Sequence, residues 1–539
     1  MRSSRHLLDR TRIVLLVAAG FLAGIAVVSF PATRRVLLNS AGLALGAAAI
    51  ALPIGTLLAV LLTRLELPGR RIAVAGLGLL IFLPLFVQVS GWDAAIGKLG
   101  WYTLAFSTSD RPLLAGLPAA IFLHGVAAVP WVTLIVGLGL LQVDARQEEA
   151  AQLDASPLAV LLRITLPQCR AFLVAAGLWV VVATASDMTV TNIYLIDPRE
   201  MTYTEQFYMN YSTAADARQA VLAVLPGLAG LIVLIVATLW LLALLTSLRN
   251  VSGRIERVVF TAGKGLLPLT ALLWAIVLTL IGVPLASLIT KAGFVVVQTG
   301  DQRVRSWSAG KAWEVVRHAP AEYQDEFLWT LTIAAAAAVL AIVVAIALAA
   351  PARRGGWRAI PALAVAVLAL ATPGPLVGVA LIRLLNQDWS PALIYLYDKT
   401  VLAPVVAQAI RALPIAIVLV WHSLATLSDD ELDAAALDGA GRLRKLWLIA
   451  LPQRWPALSG AWLAAFAIAA ADLAWSHLVV PPGIATIQQR VFGLIHYGAD
   501  EQVAGICLVV VIAYAVLSAL IVGLARSRGR ESLAGNRVP

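Results

Sequence analysis

Glu149-Ala150-Ala151, followed by Ile164-Thr165-Leu166-Pro167, returns about 285 residues later as Asp433-Ala434-Ala435 followed by Ile449-Ala450-Leu451-Pro452. Each copy is a polar, Ala-rich helical pattern set in a chain otherwise made of apolar runs. Aligning Pro167 with Pro452 lays Leu-Pro-Gln over Leu-Pro-Gln, and Ala185-Ser186-Asp187 over Ala470-Ala471-Asp472. Further on, Tyr211 falls near Tyr497 and Asp216 near Asp500. Random apolar sequence would not hold polar residues in such register, so the chain reads as an internal duplication.

Outward from these two anchors the sequence is dominated by lipid-soluble segments. With 60% hydrophobic and 13% charged residues and a mean hydropathy of +0.88, it has more apolar surface than a soluble core could hide. Several runs exceed the roughly 20 apolar residues an α-helix needs to cross the hydrocarbon layer, and none alternates as outer-membrane strands do. Apolar helices are expected near 13–30, 36–63, 72–91, 113–141, 169–186 and 219–247, then near 266–290, 327–350, 357–384, 401–425, 457–480 and 502–525. The expected fold is an all-α polytopic membrane protein. It has about 12 transmembrane helices in two homologous six-helix halves with pseudo-two-fold symmetry. The halves run over 1–250 (core about 36–247) and 251–539 (core about 327–525). Spans containing Pro53, Pro84, Pro130, Pro284, Pro373, Pro375 or Pro414 are candidates for kinks.

The N-terminus, Met1 to Arg12, is basic and precedes an apolar run to Phe30 with no small-residue cleavage pattern, which favours a retained first span over a signal peptide. Basic residues gather at span ends such as Arg64, Arg70, Arg71, Arg249, Arg353, Arg354 and Arg442. They place both termini in the cytoplasm, although Arg34 and Arg35 point the other way, and the even count of spans before each repeated motif puts both motifs there as well. The net charge of +10 is spread over these ends rather than collected in one patch, which argues against a nucleic-acid partner. The two cysteines, Cys169 and Cys507, sit in or beside apolar runs and offer neither a disulfide framework nor a metal cluster. Lys291 to Glu326 is the largest polar piece. It is too short for an enzyme domain and suits a lid or a docking surface for a soluble partner.

Within the first motif, Glu148, Glu149 and Asp154 lead and Arg163 and Arg170 trail, which suits a helix macrodipole. Pro157 divides the stretch into two short helices. The second copy bends at Asp438-Gly439-Ala440-Gly441 between leading Asp429, Asp430, Glu431 and Asp433 and trailing Arg442, Arg444 and Lys445. A short Ala-rich helix can approach a groove on another protein closely, and its acids can pair with Arg there. Leu-Pro then starts the next span, so a push on the short helix tilts the span behind it.

The pattern Glu-Ala-Ala, a spacer with Gly, then Ile-x-Leu-Pro resembles the cytoplasmic coupling motif of binding-protein-dependent ABC importer permeases, the group with a MetI-like transmembrane domain. It departs from that pattern where Ala155 replaces Gly, where the first spacer is one residue shorter, and where Asp433 replaces Glu. The fused two-copy form is similar to the iron(III) and thiamine transport permeases. Val480-Pro481-Pro482-Gly483-Ile484-Ala485-Thr486 and Ile495-His496-Tyr497-Gly498 look like iron(III)-type members, which makes iron(III) the default cargo. The resemblance implies a permease subunit of the bacterial inner (plasma) membrane. It would take cargo from an extracytoplasmic solute-binding protein and be driven by two ABC ATPase subunits, or a homodimer, on the cytoplasmic face. ATP would bind those partners, and this chain would hold no cofactor. The ATPase-coupling positions carried over are Glu149, Ala150, Ala151, Ala155, Leu166, Pro167, Asp433, Ala434, Ala435, Gly439, Leu451 and Pro452.

No phosphate-binding loop is present; Ala262-Gly263-Lys264-Gly265 lacks the leading Gly spacing and the hydroxyl. No catalytic or metal-ligand constellation stands out, and His124, His422 and His477 read as packing or hydrogen-bonding residues. Asp187 and Asp472 read first as helix-end caps or scaffold hydrogen-bond groups, with a carboxylate pair along a permeation path as the sharper alternative. Arg411, within an apolar run, suits an ion pair, a cavity or a snorkelled position. Trp92, Trp101, Trp389 and Trp475 are expected to be interfacial anchors. The rival reading is an ion-coupled secondary transporter with twelve spans, which would want ionisable groups at mid-membrane beyond Arg411. A membrane enzyme would need clustered acids and histidines.

Overall fold

The computed structural model describes residues 31–98, 100–106, 112–195, 197, 199–213, 217–247, 259–260, 263–299 and 302–535. The expected span at 13–30, Asp216, Asp301 and most of the basic loop from Arg249 lie outside them. The protein is a mostly helical, membrane-embedded chain: seven described helices are long and apolar enough to cross a membrane, or up to ten spans if three bent helix pairs count as one each. It divides into two compact units, one formed by residues 1–81 and 91–287, the other by 82–90 and 288–539.

In the first unit the core is a three-helix packing of α1 (Pro31–Arg64), α2 (Gly116–Leu140) and, after the short α3 (Ala145–Gln152), α4 (Arg170–Ser186). Apolar surface alone does not bring helices together in lipid, so close backbone approach has to do so. Small residues supply it: a Cβ on Gly55 would lie 2.6 Å from Val132, and one on Gly125 would lie 2.8 Å from Ile50. Ala47, Ala51, Ala59, Val132, Val136, Cys169, Ala176 and Val180 complete this seam. The helix over 266–287 belongs to the same unit, with Trp274 Nε1 donating to Pro68 O at 3.1 Å and Pro284 filling the space over Gly91. The chain passes between the two compact units at 81/82, 90/91 and 287/288.

The second unit opens with an antiparallel hairpin, β1 (Phe294–Thr299) and β2 (Gln302–Trp307), followed by α5 (Ala309–Glu322). The hairpin departs from the all-helical expectation. Its core repeats the scheme of the first unit with α6 (Gln324–Ala352), α7 (Leu402–Ala425) and, after α8 (Asp429–Leu437), α9 (Leu451–Ala470). Ala334, Ala337, Ala338, Ala341, Ala345 and Ala349 form one buried face of α6, meeting Ala409, Ala412 and Ala416 of α7 and Ala461, Ala465 and Ala469 of α9. The three-and-four spacing of these alanines is that of a helix seam. The unit closes with α10 (Ile487–Tyr497), begun by a Thr486/Gln489 capping box, and the long α11 (Asp500–Gly535).

Two of the expected spans are not continuous. The helices Arg70–Phe82 and Gly356–Ala371 are each followed, across Pro84 and Pro373 respectively, by a second helix bent away by 107°. Proline removes a backbone donor and disfavours helical dihedrals in the residue before it, so both runs break there. Pro53, Pro130 and Pro414 lie inside α1, α2 and α7 without such a break. The expected helix at 457–480 instead starts at Leu451 and stops at Ala470, with turns from Ala471 to Ala485. Trp92 and Trp475 are buried rather than interfacial: Trp92 packs edge-on to Phe122 at 5.0 Å, and Trp475 lies against Gly374.

Candidate functional site: the two Ala-rich helices

In the first copy the Asp144 side chain caps α3 by accepting from Arg146 N at 3.0 Å. The chain turns through Ala155, whose N–H donates to Ala151 O at 2.9 Å, and re-enters a helix capped by Ser156 with Pro157 in its first turn. A π-helical turn, Leu161–Thr165, leads into Leu166-Pro167-Gln168, and a bend of 67° at Cys169 begins α4. The second copy takes the same form with different turn chemistry. Gly439 adopts φ +78°, Ala440 N donates to Ala435 O at 2.9 Å, and a second π-helical turn, Leu446–Ala450, precedes Leu451-Pro452-Gln453. Glycine is needed there because a side chain is strained at positive φ. The first copy is one residue shorter there and carries Ala155 in place of the glycine.

Glu149, Ala150, Ala155 and Pro167 are exposed, as are Asp433, Ala434, Gly439 and Pro452; Ala151, Leu166, Ala435 and Leu451 are half-buried. Leu153 (86% exposed) and Leu437 (90%) stand in matching positions just past each Ala run, where an apolar side chain gains nothing from its own unit. Each copy thus presents a small-residue helix edge with a leading acid and an uncovered leucine. That is the chemistry of a docking edge.

What holds each helix was not legible residue by residue. In the first copy Arg64, at the end of α1, donates through Nη2 to Leu140 O at 2.7 Å and pairs with Glu148 at 2.9 Å. Both side chains are 0% exposed, and Thr165 Oγ1 donates to the other Glu148 oxygen at 2.6 Å. Burial pushes the Glu148 carboxyl above the usual carboxylate range, with the Thr165 hydrogen bond and Arg64 pulling it back. One cluster therefore ties α3 to the ends of α1 and α2 and to the π turn.

In the second copy Arg353, just past α6, donates to Leu424 O at 3.0 Å, the position matching Leu140, and to Leu427 O at 3.1 Å. The residues matching Glu148 and Thr165 are Leu432 and Ala450, so no buried acid is offered. Arg353 pairs instead with Asp429 at 2.5 Å, whose side chain is 82% exposed. A further tie is common to both copies: Gln168 Nε2 donates to Gln147 Oε1, and Gln453 Nε2 to Glu431 Oε2, each at 2.7 Å. The shared Leu-Pro-Gln register was the signal that could have found Gln168 and Gln453. For Arg64 no local signal existed.

Asp187 and Asp472 end α4 and the turn after α9, and both accept from backbone N–H groups just downstream: Val190 N at 3.0 Å, and Trp475 N and Ser476 N at 3.2 and 2.9 Å. Their side-chain partners differ. Asp187 lies 3.6 Å from His124, whereas the fully buried Asp472 pairs with Arg411 at 2.6 Å. Arg411, about a third exposed, thus has the ion-pair partner that was one of the roles expected for it. Of the other histidines, His422 is exposed and His477 half-buried, its ring packed against Phe492.

Neither protein-family models nor curated protein sequences gave a match to this chain.

Proposed function

We propose that this chain is the membrane-spanning subunit of an ATP-driven importer of the binding-protein-dependent ABC type, with two MetI-like units and each Ala-rich helix seated in a separate ATPase subunit on the cytoplasmic side. The observation that carries the reading is the recurrence, in each unit, of one local build: an exposed acidic Ala-rich helix, a tight turn, a π turn and a Leu-Pro-Gln that bonds back to the short helix. A π turn ahead of a span start is a site where a helix can shift register, which suits passing a push into α4 or α9. Alternating access would then move a small solute, iron(III) as the default, from a solute-binding protein into the cytoplasm.

The test is purification of the chain with its ATPases and reconstitution with the binding protein. Replacing Glu149 and Asp433 by Lys places a cation where the partner's Arg is expected. It should abolish substrate-stimulated ATPase activity and uptake while the protein remains in the membrane. Unchanged uptake in that double variant would overturn the reading. The ion-coupled secondary transporter keeps its own supporting observations: His124, within span α2, lies 3.6 Å from Asp187, and Arg411, within span α7, pairs with buried Asp472 at 2.6 Å. Uptake driven by a proton gradient without any ATPase would select it.

A further inference from the structure

We propose that α5 is an interfacial helix whose uncovered apolar edge, centred on Trp313, is seated in the lipid headgroup region rather than serving as a lid or a dock for a soluble protein. The inference needs only that the protein is membrane-embedded, not that it is an importer.

The sequence of α5 divides cleanly around its axis. At 100° per residue, Val315, Ala319, Ala312, Val316, Pro320 and Trp313 span an apolar arc of about 160°, and Arg317, Glu314, His318, Lys311 and Glu322 fill the rest. The protein covers only one end of that arc. Ala319 is buried, and Val315 lies against α11, where a Cβ on Gly505 would meet it at 2.5 Å. At the other end Pro320 is exposed and Trp313 is 66% exposed, with Trp307 of the hairpin also half uncovered.

Depth follows from the same contact. The apolar helix from Asp500 to Ala519 is a candidate span, and Gly505 lies five residues into it, about 7.5 Å along its axis at 1.5 Å per residue. Lys291, at the end of the span that precedes the hairpin, pairs with Asp500 at 2.8 Å and so marks the level at which the 500–519 helix begins. Helices with one apolar and one charged face settle about 5–10 Å into the headgroup and acyl boundary. That is the depth at which Val315 meets Gly505. An indole at that level finds apolar contact for its ring and a polar zone for its N–H. The lipid surface is thus continuous with the lipid-facing edge of α6, which begins two residues after α5 and exposes Leu328 and Leu331 in its first turns.

The experiment places a nitroxide label at Trp313→Cys, Pro320→Cys, Glu314→Cys and Arg317→Cys in turn, in the full chain reconstituted in phosphatidylcholine vesicles. Cys169 and Cys507 are buried, so the parent protein should label little. Collision with dissolved oxygen, which concentrates in lipid, is compared with collision with a water-soluble nickel chelate. Labels at 313 and 320 should favour oxygen several-fold, and those at 314 and 317 should favour nickel. Equal nickel access at all four positions would place α5 in water and overturn the proposal. Protection of 313 and 320 from both reagents would mean a protein covers the edge, and would overturn it equally. Should Trp313→Cys fail to fold, Val316→Cys reports the same arc.

Discussion

Replacing Arg64 by Met removes the charge at the centre of the buried cluster that holds α3. The variant loses the 2.7 Å bond to Leu140 O and the 2.9 Å pair to Glu148, and leaves a sealed carboxylate whose one remaining side-chain donor described is Thr165. Taking one partner from a buried ion pair costs about 3–5 kcal/mol, most of it from the charge left behind. At about 2–4 °C per kcal/mol for a unit of this size, the midpoint of unfolding should fall by roughly 6–20 °C. The equivalent Arg353→Met loses two carbonyl bonds but leaves Asp429 in solvent. It should cost about 1–2 kcal/mol. The two native cysteines let each unit be read separately: Cys169 lies buried in the first and Cys507 in the second. A thiol-reactive fluorophore added during heating reports the first unit when Cys507 is replaced by Ala, and the second when Cys169 is.

The loss at Arg64 should also depend on pH, with a definite sign. Burial already raises the Glu148 carboxyl, and Arg64 is one of the groups pulling it down, so its folded-state value rises further in Arg64→Met. A carboxyl that holds its proton more tightly folded than unfolded adds stability as pH falls through the folded value, down to the unfolded one near 4.3. The deficit of Arg64→Met should therefore shrink as pH falls through the raised folded-state value towards the unfolded one. Adding Glu148→Gln should recover most of it at every pH, because no sealed charge remains. A deficit no larger than that of Arg353→Met, or one that deepens on acidification, would refute the account of this cluster.

Other expectations are simpler to state. Gly439→Ala forces a side chain into φ +78° and should destabilise the second unit by about 1 kcal/mol in the same fluorophore assay, while Ala155→Gly should change the first unit by less. Gly55→Leu drives a side chain into Val132 and the Val129 carbonyl, and should cost about 1–3 kcal/mol, read from Cys169.

The features read correctly from sequence are those written in local pattern, and the ones missed are those decided by helical phase or by distant partners. An Ala-rich stretch with leading acids and a trailing Leu-Pro announces a short helix before a span wherever it stands, and both copies take that form. Glu148 and Glu149 are adjacent acids of the same type, yet they point 100° apart. One meets Arg64 in a sealed cluster and the other faces out, and nothing near them in sequence says which. The matching Leu432 and Ala450 were the available hint, since a polar pair in one copy stands where an apolar pair does in the other. The hairpin escaped for a different reason. Phe294-Val295-Val296-Val297, set off from the preceding span by Lys291 and Gly293, opens a segment that was read by its charges as one polar piece, so a β-branched run beside Thr299-Gly300-Asp301, which carries turn chemistry, went unread. The aspartates teach the converse. Equal register placed Asp187 and Asp472 alike as caps, but one faces His124 and the other Arg411. Shared position therefore preserved the backbone role while the side-chain chemistry diverged. Any functional asymmetry between the units is accordingly to be sought in the partners of aligned residues, not in the aligned residues themselves.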